Sequence, residues 1–319
     1  MKGNFPRFLT WAALLVPALV LAQGYPSKPV KVVVPYAAGG NTDSIARILS
    51  DSLSRSLGQQ FVVENRPGAG GALSAEYVAK SPPDGYTLYV TALGVMVIVP
   101  HIQKVNFDTI KDFSPISNLG TNPFVLGVHP STGVKTLKEF IDLVKRQPGK
   151  LAYASANGSV SHMSTAMLVA RAGMDMIFVP YKGDAPAVAD LVGGQVQMYF
   201  GTFSAMIPHG RSGRITLLGV SSEKRDPKLP EVPAIAETLP GFKTVTWNGL
   251  MAPVGTPQSI IERLTAECQK AMKDPSAIDR LGKMGVDAYG STAAEFAQII
   301  RSDYEIYRRA VKAAGLTPG

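Results

Sequence analysis

Cysteine is almost missing from this 319-residue chain: Cys268 stands alone, so no intrachain disulfide can form. That excludes a disulfide scaffold. Charge is scarce as well. Only 18% of residues are charged while 45% are hydrophobic, the reverse of the balance that keeps a chain disordered. The 31 glycines follow no short period, which excludes a collagen-like rod. Four histidines, His101, His129, His162 and His209, lie far apart with no Cys or carboxylate spacing to join them, so no metal site and no cofactor are expected. The formal net charge of +8 is spread without an arginine-rich run or a basic helix face, and nucleic acid is not an expected partner.

Only one long apolar run is present, and it stands at the start. Lys2 and Arg7 precede the almost wholly apolar Phe8 to Ala22, and Val20-Leu21-Ala22 offers the small residues a signal peptidase reads. At 15 residues, interrupted by Pro17, the run falls short of the roughly 20 needed to span a bilayer. Residues 1–22 are therefore expected to be a cleaved export signal, the alternative being a retained anchor. No Cys follows for a lipid anchor. Without Lys2 and Arg7 the 32 basic residues become 30 against 24 acidic, a net of +6. Cys268 shares helical spacing with Ile261, Leu264 and Met272, so a buried structural thiol is expected in preference to a nucleophile.

What remains is long enough for two domains, and it alternates strand, loop and helix. Val30 to Tyr36 reads as a buried strand and Ala37 to Thr42 as a loop. A helix follows, with Ile45, Ile48, Leu49, Leu53 and Leu57 on one stripe, closed by Gly58. Gln60 to Glu64 and Tyr86 to Thr91 read as strands around a helix at Ala72 to Ala79. Thr136 with Glu139, and Thr292 with Glu295, are capping boxes that open later helices. Leu151 to Ser155 and Met176 to Tyr181 are further strands, each running into a Gly-containing turn. Such alternation is the signature of an α/β fold with parallel strands and helices on both faces.

The chemistry concentrates where strands give way to helices. Pro35-Tyr36-Ala37-Ala38-Gly39-Gly40-Asn41-Thr42-Asp43 places two glycines at a helix start, where free N–H groups and the helix dipole suit a carboxylate or phosphate. The alternative is an ordinary tight turn capped by Thr42 or Asp43. Neither this stretch nor Gly68 to Leu73 has the spacing of a nucleotide-binding loop. Two further loops have the same character: Ser155-Ala156-Asn157-Gly158-Ser159-Val160-Ser161-His162, and Tyr181-Lys182-Gly183-Asp184-Ala185-Pro186. Open α/β sheets bind ligands at such ends. A catalytic Ser159–His162 pair lacks a nucleophile elbow and an orienting carboxylate, so His162 is expected to be a cap or core residue. Trp247 could line a pocket, but core packing is the expected role.

Taken together, these segments resemble the Bug receptors, the periplasmic substrate-binding proteins of tripartite tricarboxylate transporters. The likeness rests on Tyr25-Pro26-Ser27-Lys28-Pro29-Val30 through Asp43, on Val63-Glu64-Asn65-Arg66-Pro67-Gly68-Ala69-Gly70-Gly71 and on Ser81-Pro82-Pro83-Asp84-Gly85-Tyr86-Thr87-Leu88. It continues through Val179 to Leu191, Gly193-Gly194-Gln195-Val196, Trp247 to Pro257 and the final capped helix. The resemblance implies a two-domain Venus-flytrap protein of type II, each domain a mainly parallel sheet flanked by helices. Chain crossings are expected near Asn122 and Trp247, with one domain at 23–122 plus 248–319 and the other at 123–247. It implies a receptor rather than an enzyme: a periplasmic monomer that takes a small carboxylate ligand to membrane permease subunits. A ligand sensor acting on a kinase is the alternative and a secreted hydrolase the third reading.

By resemblance the ligand's carboxylate is held largely by backbone N–H groups of the first loop, often through ordered water, at Ala38, Gly39, Gly40, Asn41, Thr42 and Asp43, with Tyr36, Thr91 and Ala92 beside it. The opposing domain supplies Asn157, Gly158, Ser159, His162, Tyr181, Gly183, Asp184 and Ala185. Two departures bear on the ligand. Asp184 replaces a small residue, and Val95-Met96-Val97-Ile98-Val99-Pro100 replaces a more polar run. Were both to face the cleft, the ligand would carry one carboxylate and an amino, ring or alkyl portion.

Overall fold

The computed structural model describes residues 24–156, 159–181, 183–313 and 315–316. The expected export signal, Asn157, Gly158 and Lys182 lie outside the described residues. Ten strands are described: β1 Val30–Val34, β2 Phe61–Asn65, β3 Thr87–Ala92, β4 Phe113–Val128, β5 Ala152–Ala156, β6 Ile177–Tyr181, β7 Met198–Thr202, β8 Thr216–Val220, β9 Val245–Pro253 and β10 Asp287–Ala288. The helices that position the loops discussed below are α1 Asn41–Leu57, α2 Ala72–Ala79, α3 Val99–Ile102, α4 Leu137–Arg146, α5 Val160–Ala172, α6 Asp184–Val192, α7 Phe203–Arg211, α8 Gln258–Ala271, α9 Pro275–Lys283 and α10 Ala293–Ala313.

The strands join in the order β2-β1-β3-β9-β4-β7-β5-β6, with β10 and β8 also on β4. β1 is parallel to β2 and β3, and β5 is parallel to β6 and β7. β4 and β9 run antiparallel to their neighbours. The parallel strands thus form one triplet in each sheet, and every antiparallel pairing among the described strands involves β4 or β9. Parallel strands require a crossover helix between them, whereas β4 and β9 lie directly side by side. Phe113–Pro123 of β4 pairs with β9, and Phe124–Val128 pairs with β7 and β8. One strand therefore contributes to both sheets.

Local sequence accounts for the element ends. α1 buries Ile45, Ile48, Leu49 and Leu53 against the first sheet, each worth roughly 1.5–3 kcal/mol of transfer free energy. Gly58 ends it in the left-handed region, its N–H bonded to Ser54 O. The Thr136–Glu139 box caps α4 from both sides, and Thr292 with Glu295 opens α10. β1 stops at Val34, short of the expected Tyr36, because Pro35 has no N–H to give and Tyr36 O is taken by Asn65 Nδ2 at 2.9 Å.

Both faces of each sheet are covered. Around the first sheet, Val32, Leu49 and Leu264 belong to one cluster and Tyr89, Trp247 and Phe296 to another. Phe140 and Phe200, and Tyr199 and Met206, lie in the two clusters of the second. Cys268 is fully buried in the first of these cores, and burial pushes its thiol up. Trp247 is 1% exposed, edge-on to Phe296 at 5.0 Å, and donates its indole N–H to Asp303 Oδ2 at 2.8 Å. The expected core role is therefore met, with a buried polar anchor besides.

β9 lets α10 approach closely because Gly249 has no side chain: a Cβ there would fall 2.1 Å from Phe296 Cζ. Gly249→Ala is expected to destabilise the protein by about 1–3 kcal/mol through overpacking. Urea unfolding should recover part of that loss in the Gly249→Ala/Phe296→Leu double variant. An unchanged midpoint in the single variant would contradict this packing.

Candidate functional site

The first strand-to-helix loop is held by one carboxylate. Asp43, at the third position of α1, turns back so that Oδ2 accepts the Gly39 N–H at 2.8 Å. The same oxygen accepts Arg47 Nε at 2.9 Å, while Oδ1 accepts Arg47 Nη2 at 3.0 Å and Asn65 Nδ2 at 2.8 Å. The side chain is 2% exposed. Burial alone would raise its pKa, but the bonds from Arg47, Gly39 and Asn65 outweigh it and leave the carboxyl below the ordinary aspartate value. Gly39 sits at φ +86°, a conformation costly for any residue with a Cβ.

Two further bonds tie this loop to β9 and β4. Thr42 Oγ1 donates to Asn248 Oδ1 on β9 at 2.7 Å, and Asn41 Nδ2 donates to Asn122 Oδ1 on β4 at 3.3 Å. Asn122 in turn donates to Gly285 O at 3.1 Å. With these side chains engaged, the backbone is left to meet solvent. Ser44 is the first α1 residue whose N–H reaches a backbone acceptor, Gly40 O at 2.9 Å. Among the described residues, the N–H groups of Asn41, Thr42 and Asp43 find no acceptor, as expected for a first helical turn. Ala37, Ala38, Gly39, Gly40 and Asn41 are exposed.

The second lobe meets this loop through α5. A Cβ on Gly94 would lie 3.5 Å from Val160 Cγ2 and 3.9 Å from the Tyr36 hydroxyl, so the first loop, the turn after β3 and the start of α5 converge. Burial pushes the Tyr36 hydroxyl up to about 12, which keeps it protonated and able to donate. Ala92 is 9% exposed. Thr91 is fully buried and its Oγ1 has no hydrogen-bond partner among the described residues. Ser159 Oγ caps α5 by accepting the His162 N–H at 3.1 Å. The His162 ring lies flat on Phe178, with centroids 4.2 Å apart, and burial lowers its pKa. His162 thus has a cap-and-core setting. Tyr181 OH donates to Asp190 Oδ2 at 2.6 Å, Gly183 caps α6, and Ala185 is exposed in its first turn.

Asp43 and Thr42 lie in the expected loop with their side chains buried and used inside the protein, which leaves their backbone as the part that could serve a ligand. Two expectations need correcting. Asp184 does not stand free to pair with an ammonium group: Oδ1 accepts the Tyr199 hydroxyl, and Oδ2 accepts Thr202 Oγ1 at 2.6 Å. Nor is the 95–100 run an apolar lining. Gly94–Ile98 forms a π-turn leading into α3, and Val95, Met96, Val97 and Ile98 are all fully buried in the core. The narrower expectation of one carboxylate plus an amino, ring or alkyl portion therefore loses both its grounds.

The family model for the tripartite tricarboxylate transporter family receptor matches residues 45–316. The chain belongs to this receptor family. It is 39% identical to a Pseudomonas sp. (strain P51) protein from the tcbD-tcbE intergenic region, covering 91% of this chain and 87% of that one. It is 33% identical to protein BugT of Bordetella pertussis over 97% of this chain and 95% of BugT. Among solved structures, Rhodopseudomonas palustris Rpa4515 with adipate is similar at TM-score 0.79 and 32% identity, over 92% of this chain and all of that one. MatC of the same organism with bound malate is similar at TM-score 0.74 and 34% identity, over 90% of this chain and all of MatC.

Of the residues that shape the receptor's first loop, Arg47, Asn65, Asn122 and Asn248 were not singled out by their chemistry. Asn65 stood inside the quoted Val63 to Gly71 motif, which was the available signal. Asp43→Ala strands the Gly39 N–H and the Asn65 amide, and is expected to cost about 1–3 kcal/mol at pH 7. Because the folded pKa is depressed, the stabilisation is complete above the unfolded value and fades as pH falls through the folded one. Denaturant unfolding should show the gap between native and variant proteins steady from neutral pH to about 5, then narrowing toward pH 3. A gap unchanged at pH 3 would contradict the ionised clamp.

Proposed function

We propose that this receptor captures a small carboxylate in the cleft between its lobes and presents it to the permease subunits of a tripartite tricarboxylate-type transporter. The observation that carries the reading is the exposed first turn of α1, with its N–H groups unused and its loop held by Asp43. A helix start of this kind offers fixed donors and a partial positive charge. The adipate and malate in the two similar structures support a carboxylate and make short dicarboxylates the first candidates. Tyr36, Ala92, Ser159, Gly183 and Ala185 complete the proposed cleft.

In this reading residues 1–22 direct export, and the working protein is a periplasmic monomer. The lobes comprise 23–122 with 248–319, and 123–247. The partner change of β4 after Pro123 and the start of β9 at Val245 support those limits. An open form meets the carboxylate on the first loop, and closure follows to the extent that the closed form binds better. No bond of the ligand is made or broken. The net charge of +6 favours encounter with anions without selecting among them.

Calorimetric titration with adipate, malate and citrate tests this directly, with adipamide as the uncharged control. At least one carboxylate should bind and adipamide should not. Gly39→Val, which cannot hold φ +86° without strain, should lose affinity about tenfold or more while still melting cooperatively. Undiminished affinity in that variant, or no binding of any carboxylate, would overturn the proposal.

A further inference from the structure

A cavity of about 790 Å³ lies between α10, α5 and the chain leading from β8 into β9, and no residue of the first loop lines it. That volume suits a small organic molecule. Ile299 and Ile306 of α10 and Met167 of α5 give it apolar walls, and the almost fully buried Trp247 and Tyr307 border it.

Of its four charged groups Lys243 and Glu223 pair with each other, while Glu295, exposed, and Asp303, half-buried, form no ion pair among the described residues. Lys243 Nζ lies 3.6 Å from Glu223. Glu295 Oε2 is taken by the Thr292 N–H and hydroxyl at 2.8 and 2.9 Å. Asp303 receives the Trp247 indole N–H on Oδ2, but no ammonium or guanidinium forms an ion pair with it among the described residues. Thr244 lines the same cavity and is 3% exposed, and its Oγ1 has no hydrogen-bond partner among the described residues. A buried hydroxyl left unpaired is costly unless something else completes it.

We propose that this cavity is a second ligand site, taking a small organic cation: an ammonium or amidinium group on an aromatic or apolar body. Asp303 is its counter-ion and Thr244 Oγ1 accepts a hydrogen bond from it. The apolar body packs on Ile299 and Ile306. Burial raises the Asp303 carboxyl to about 6 against the pull of Trp247 and Lys243, as fits a carboxylate that lacks its counter-ion. The site is separate from the proposed carboxylate cleft and opposite to it in charge preference.

The test is titration of the periplasmic protein with benzamidine, and with benzamide as the neutral analogue of similar shape. Binding is read from the Trp247 indole N–H resonance, assigned by its loss in Trp247→Phe. Benzamidine should shift that resonance saturably, and benzamide should bind about tenfold more weakly or less, the loss of one charge-assisted contact. Asp303→Asn keeps an acceptor for the indole and should bring benzamidine down to the level of benzamide. Thr244→Val, close in shape, should weaken it about threefold, and Gly39→Val should leave it unchanged. Equal binding of the two probes, full affinity in Asp303→Asn, or no saturable shift at millimolar benzamidine would each overturn the proposal.

Discussion

The Asp43 carboxylate is the constraint on which the proposed carboxylate site depends. A glycine-rich turn such as Ala37–Gly40 has many accessible conformations, and ordering it costs about 1–2 kcal/mol per residue in backbone entropy. Asp43 offsets part of that cost by collecting Gly39, Arg47 and, from β2, Asn65 on its two oxygens. The negative charge also sits at the start of α1, where the helix dipole favours it. Its oxygens face inward, however, so the outward N–H groups of the first turn stay available. A carboxylate of the protein shapes the loop while the backbone is left to meet the carboxylate of the ligand.

The same loop is fastened to the strands that join the lobes. Thr42 reaches Asn248 and Asn41 reaches Asn122, so a shift of the first turn and a shift of β4 or β9 are mechanically connected. Such links let binding energy at one loop bias the arrangement of two lobes, provided the closed form gains contacts that the open form lacks. Donors borne on backbone suit this task because they need no long side chain to be ordered and leave no buried guanidinium unpaired when the cleft is empty. The cavity beside α10 has the opposite character, with a half-buried carboxylate, Asp303, that has no ion pair among the described residues.

Much of the fold was readable because periodicity and caps act locally. The α1 stripe, Gly58 as its end, the Thr136–Glu139 box and the limits of α2 all follow from residues within a few positions of one another. The site was readable as loops and no further. That Asp43 serves Gly39 depends on a side-chain rotamer. That Asn65, Asn122 and Asn248 converge on residues 36–43 depends on contacts over 22 to 206 positions, to which no local pattern corresponds. The two misreadings have the same origin. Asp184 looked free because Tyr199 and Thr202 come from another strand, and Val95–Ile98 looked like lining because a π-turn, not visible in spacing, rolls them into the core.

The central claim is that the ligand's carboxylate is held by the backbone of the first turn of α1. Amide ¹H–¹⁵N spectra of the labelled protein, recorded as the tightest-binding carboxylate is added, address it most directly. The account predicts that the amides of Gly40, Asn41 and Thr42 move downfield together and saturate with the calorimetric affinity, as donors do on meeting an anion. Saturation of binding with those three resonances unmoved, and the shifts confined to other elements, would contradict it.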